Sequence, residues 1–115
     1  MGGKFMTQSL DFNKVKKNYF TIVLNDEKKT RLQVMTPTKG LLMELTTMLP
    51  ETSGGMPSEE DLSALYDFAA RLMSRNKTGK VVTGEQLAEI LDFEDLILFF
   101  TAFTDFITEL TNEKN

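Results

Sequence analysis

The residues able to carry chemistry in this chain are few and of limited kinds. Cysteine and histidine are absent from all 115 residues. That excludes disulfides, thiolate or imidazole metal sites, and any mechanism built on a Cys nucleophile or a His base. Thr78-Gly79-Lys80 matches the end of a phosphate-binding loop. The full loop needs a glycine five residues before the Gly-Lys pair, and Ser or Thr after it, so that successive amides wrap the phosphates. Here position 74 is Ser74 and Lys80 is followed by Val81, so the segment reads as a helix-ending turn. Two acidic clusters, Glu59-Glu60-Asp61 and Asp92-Glu94-Asp95, hold carboxylates of the kind that bind hard cations or pair as acid and base. Neither follows EF-hand spacing. Both fall at predicted helix starts, where the helix dipole stabilises carboxylates without any catalytic role. The serines and threonines have no His partner. This reading gives no catalytic residue, no metal site and no cofactor, and it argues against an enzyme.

The elements that carry these residues follow from periodicity. Residues 1–17 are polar and lysine-rich, a loose basic arm; Met1 and Met6 both fit as its native start. Phe20, Ile22 and Leu24 alternate with Tyr19, Thr21 and Val23, and Leu32 and Val34 alternate with Arg31, Gln33 and Met35 around a polar Asn25–Lys29 turn. Such alternation predicts a β-hairpin over 18–36, whose Phe20/Ile22/Leu24 face needs a cover. Helices are predicted over about 38–49, 58–76, 84–91 and 93–112. Thr38, Ser58, Thr83 and Asp92 open them, Pro50 stops the first, and Thr83-Gly-Glu-Gln86 is a capping box with Val82 against Leu87 as its staple. The stripe of the second helix is Leu62, Leu65, Tyr66, Ala69, Leu72 and Met73. A loop with Gly54-Gly55 at its centre joins the first two helices. In the last helix, Leu96, Phe99, Phe100, Phe103, Phe106, Ile107 and Leu110 fall within about 120° of the circumference and mark the hydrophobic centre. The fold class is α+β: an N-terminal β-hairpin packed on a mostly α-helical bundle of about four helices, forming one domain over 18–115.

Two features remain once the core is assigned. Met43 lies opposite the buried face of its helix, Phe93 and Ile97 sit on the shoulder of the last stripe, and Leu98 interrupts an acidic face between Glu94 and Asp105. Apolar residues on successive helices, methionine among them, suit a surface that contacts other chains. Charge is also uneven. Residues 1–40 hold eight basic and three acidic groups, a net of +5, whereas residues 41–115 carry −9, for a total of −4. The acidic total argues against a duplex-DNA binder. It allows a basic segment (Lys14, Lys16, Lys17) to dock on the acidic part, within one chain or between copies. No apolar run reaches the ~18 residues of a membrane span.

The order of these elements resembles the tail assembly chaperones of long-tailed bacteriophages that infect Gram-positive bacteria. The resemblance covers roughly residues 10–115. It rests on Thr36-Pro-Thr-Lys39 leading from the hairpin into a Leu-rich helix, on Ser74-Arg-Asn-Lys-Thr-Gly-Lys-Val-Val-Thr83, and above all on Leu91-Asp-Phe-Glu-Asp-Leu-Ile-Leu-Phe-Phe-Thr-Ala-Phe103 and the terminal Glu113-Lys114-Asn115. It implies a non-enzymatic factor of the infected cell's cytoplasm. Such a factor coats the helical tape measure protein, keeps it soluble, self-associates into rings or spirals, and is absent from the finished virion. It also implies two product lengths made by a ribosomal frameshift, for which Glu113-Lys114-Asn115 allows the slippery codons GAA-AAA-AAC. Met43, Phe93, Ile97 and Leu98 are then the expected contacts to the tape measure protein or to further copies. The competing expectation is a small phage regulatory or adaptor protein whose basic N-terminal segment binds nucleic acid or a host protein.

Overall fold

The computed structural model describes residues 10–48 and 57–112. Its elements are β1 (Phe20–Val23), β2 (Arg31–Val34), α1 (Lys39–Met48), α2 (Glu59–Ser74), α3 (Gly84–Ile90) and α4 (Phe93–Asn112). The architecture is α+β, an antiparallel hairpin packed against four helices around one apolar cluster. The expected end of α1 at Leu49 and Pro50, the Gly54-Gly55 loop, the first nine residues and Glu113–Asn115 lie outside the described residues.

The hairpin register pairs Phe20 with Val34 and Ile22 with Leu32. Side chains alternate across a strand, so Phe20, Ile22, Leu24, Leu32 and Val34 share the covered face, while Val23 and Arg31 stand exposed. Asp26 closes the turn. Its carboxylate accepts hydrogen bonds from the Thr30 hydroxyl (2.6 Å) and the Thr30 amide (2.8 Å). These bonds, the hydroxyl's first, hold the carboxyl below its ordinary range. Lys29 takes the left-handed conformation the turn requires, with φ 50°.

The cover comes from α4. Leu96, Phe99, Phe100 and Phe103, spaced three and four apart, are buried there. The Phe20 ring lies 6.4, 5.7 and 5.4 Å from those of Phe99, Phe103 and Phe106. Burial is full only as far as Phe103; Phe106, Ile107 and Leu110 are half-buried. A 20-residue helix is ~30 Å long, whereas four-residue strands reach only about 13 Å. The helix therefore outruns its cover. Asp92 and Asp95 start it reciprocally: the Asp95 amide donates to Asp92 Oδ1 (2.8 Å), and the Asp92 amide donates to Asp95 Oδ2 (3.1 Å).

Helix α2 packs against β2, α3 and α4 together, and its buried arc is accordingly wider than the sequence stripe. Phe68 and Ala70, outside that stripe, are buried with Leu65, Ala69, Leu72 and Met73. Phe68 stacks on Phe100, with centroids 6.0 Å apart. Ser58 caps the helix, its hydroxyl oxygen accepting from the Asp61 amide (3.1 Å). The helix ends at Ser74, not at residue 76 as its periodicity predicts, because the next residues turn to pair with β2. The Met35 amide donates to the Arg75 carbonyl (2.8 Å), and the Lys77 amide donates to the Gln33 carbonyl (3.0 Å). That leaves β1 as the sheet's open edge among the described residues.

Asn76 organises the turn that follows. It is 3% exposed. Its Nδ2 donates to the Met73 and Lys80 carbonyls (2.8 Å each), and its Oδ1 accepts from the Lys80 amide (2.9 Å) and the Thr78 hydroxyl (3.1 Å). Thr78-Gly79-Lys80 is thus a helix-ending turn, with Gly79 at φ 76°. Helix α3 begins on the expected capping box, Thr83 and Gln86 each accepting the other's amide. Gly84 lets α3 approach α2 closely: a Cβ there would lie 3.1 Å from the Asp67 Cα and against its carboxylate. Gly84→Ala is therefore expected to cost about 1–3 kcal/mol by overpacking, read from a urea unfolding midpoint. Tyr66 on α2 donates its hydroxyl to the Leu91 carbonyl (2.7 Å), which fixes the α3–α4 junction.

Candidate functional site

The packing of β1 against α4 leaves an opening at its side. At 100° per residue, Phe99, Asp95, Ala102 and Leu98 lie in succession around the flank of α4 that faces the hairpin. With Phe20, Ile22, Val23 and Leu24 from β1 and its turn, and with Leu91 and Asn25 at one end, they line a groove of about 330 Å³. The floor is part of the core: Met73, Leu24 and Phe99 are all buried. The lips are Val23, 55% exposed, and Leu98, 66% exposed. An alternating strand residue and a residue off the helical stripe thus meet across one apolar opening.

The four apolar positions singled out from the sequence do not form one patch. Leu98 lines the groove. Phe93 (41% exposed) and half-buried Ile97 lie about 140° and 100° from it around α4, on the other flank. Met43 is exposed on α1, and its carbonyl accepts the Thr46 and Thr47 hydroxyls. Sequence reasoning missed Val23 as a site residue. Its only signal was an apolar side chain on the outer phase of an alternating strand.

Charge on the α4 side of the groove is one-signed, whereas exposed Arg31 of β2 stands opposite the lip residue Val23. Helix α4 contains Glu94, Asp95, Asp105 and Glu109 and no basic residue. Glu94, Leu98, Asp105 and Glu109 recur at near-helical spacing, so Leu98 stands within a carboxylate row. The basic segment Lys14, Lys16 and Lys17 is exposed and pairs with no described carboxylate. The ion pair among the described residues is Arg71–Glu44, bidentate at 3.0 and 2.5 Å, joining α2 to α1. Arg71 holds the Glu44 carboxyl below its ordinary value, chiefly by hydrogen bonding. The pair's stabilisation is therefore present above the unfolded-state pKa and lost as pH falls through the folded one. Both side chains are 40% exposed or more, and solvent keeps that contribution small.

Among the described residues no three acidic groups converge on a point that would hold a metal ion, and no helix is long and apolar enough to cross a membrane. No protein-family model, curated protein or solved structure matches this chain.

Proposed function

We propose that this protein is a phage tail assembly chaperone that holds amphipathic helices of the tape measure protein, without chemistry, while the tail is built. The observation that carries the reading is the groove between β1 and α4, an apolar floor with exposed Val23 and Leu98 at its lips. Apolar anchors spaced along one face of a client helix enter such a groove. A floor of aliphatic, aromatic and methionine side chains accepts many such anchors, which suits a long client with varied helical segments. The order of elements and the Leu91–Phe103 segment, which resemble that family, support the same reading. So does the charge asymmetry, which favours contacts between copies. The proposed setting is the cytoplasm of the infected bacterium, with the protein leaving before the virion is complete.

Co-expression with the tape measure protein of the same phage tests this. The expected result is a marked rise in soluble client and a complex that survives purification. Leu98→Asp is expected to weaken capture by about 2 kcal/mol, roughly 30-fold, as removal of a binding anchor does. The same substitution should change unfolding free energy by no more than about 0.5 kcal/mol, because the side chain is solvent-facing. Folded protein that neither solubilises nor binds the client overturns the proposal. A salt-dependent gel shift abolished by Lys14→Glu, Lys16→Glu and Lys17→Glu would instead support the regulatory reading.

A further inference from the structure

The groove has a candidate occupant within the chain's own sequence. Residues 10–17 carry Leu10 and Phe12, 66% and 70% exposed, beside Lys14, Lys16 and Lys17. Asp11 gives this arm a turn of its own, accepting from the Asn13 amide (3.0 Å) and presenting its carbonyl to the Lys14 amide (2.9 Å). The arm therefore displays two large apolar side chains that are mostly exposed. Only two residues separate Lys17 from Phe20, which lines the groove, so the arm starts at its rim.

We infer that the arm of one molecule seats Leu10 and Phe12 in the β1–α4 groove of a second copy. Charge complementarity argues for this occupant. The arm's three lysines meet a helix that bears four carboxylates and no cation, and opposite fields of this kind steer and orient association. The open edge of β1 argues for it too. With the Leu24 amide bonded to the Thr30 carbonyl (2.8 Å), the alternation of an antiparallel ladder turns the peptide groups of Thr21 and Val23 away from β2. They face the entering segment and offer it backbone hydrogen bonds, as in strand addition. Arm and client then compete for one surface, so the arm shields the groove until a client displaces it. The inference rests on reading the groove as the binding surface, not on the identity of the client.

Sedimentation velocity over a concentration series of the full chain tests the proposal. Reversible self-association is expected, with a dissociation constant that rises with added salt. The double substitution Leu10→Asp, Phe12→Asp should raise that constant at least tenfold, and so should Leu98→Asp; circular dichroism of each variant should match the parent. Mixing the two variants is the decisive arm, because the first keeps an intact groove and the second an intact arm. The mixture should associate although neither variant does alone. A parent that stays monomeric, arm substitutions without effect, or a mixture that fails to associate each overturns the proposal. Failure of the client reading is seen separately, as absent capture of the tape measure protein by an arm variant that still folds.

Discussion

Truncating Phe103 to alanine is expected to lower the unfolding free energy by about 3–5 kcal/mol. The side chain is fully buried. It stacks on Phe99 at 5.5 Å and meets Phe20 and Phe106 at 5.7 and 5.9 Å. The loss has two parts, the transfer energy of the ring and the cavity left among neighbours that cannot all collapse inward. Those neighbours are held from two directions, by the hairpin register and by α4 itself, so relaxation is restricted. Against a total of ~5–15 kcal/mol for a small domain, this is enough to leave the variant unfolded or marginal. Phe106→Ala should cost clearly less, because Phe106, though it meets Phe20, is only half-buried. Urea unfolding followed by circular dichroism distinguishes the two. Equal losses, or a Phe103 loss below about 1 kcal/mol, would contradict the packing described.

Asn76→Ala is the second large effect, about 2–4 kcal/mol, and it is polar in origin. The side chain satisfies both donors and accepts twice, serving Met73, Thr78 and Lys80. Alanine leaves carbonyls at Met73 and Lys80 and the Lys80 amide without that partner, and an unmet buried group costs ~1–3 kcal/mol. Water reaches Lys80, which is exposed, and reduces the total below the simple sum. The same residue sits at the bridge to Val34, so slowed exchange of the Met35 amide should be lost together with stability. Unchanged exchange there would show that the 75–77 segment holds β2 without Asn76.

Much of the architecture was legible because it is local. Alternation over 19–24 and 31–35, the cap residues Ser58, Thr83 and Asp92, and the aromatic stripe of the last helix each report on a few neighbouring residues. What was not legible depends on distant partners. Phe68 falls outside a one-faced stripe, yet it is buried because α2 is covered on several sides. Asn76 reads as an ordinary turn residue, and only the return of the chain onto β2 makes it a buried hub. The groove itself is a relation between Val23 and Leu98, 75 positions apart, set by how closely β1 and α4 pack. Leu98 stood out in the sequence as an apolar interruption of an acidic face. Phe93, Ile97 and Met43 stood out on the same grounds, but the fold places them elsewhere.

The central claim, that the β1–α4 groove is where this protein holds an apolar segment of another chain, is tested most directly by nuclear magnetic resonance. Labelled protein is titrated with a helical peptide from the tape measure protein, and amide and methyl shifts are followed residue by residue. The account predicts saturable shifts concentrated at Val23, Leu91, Leu98 and Ala102, with Met43 and Val81 unmoved. Shifts confined to the α1 surface or to Phe93, with the groove methyls unchanged at saturation, would contradict it.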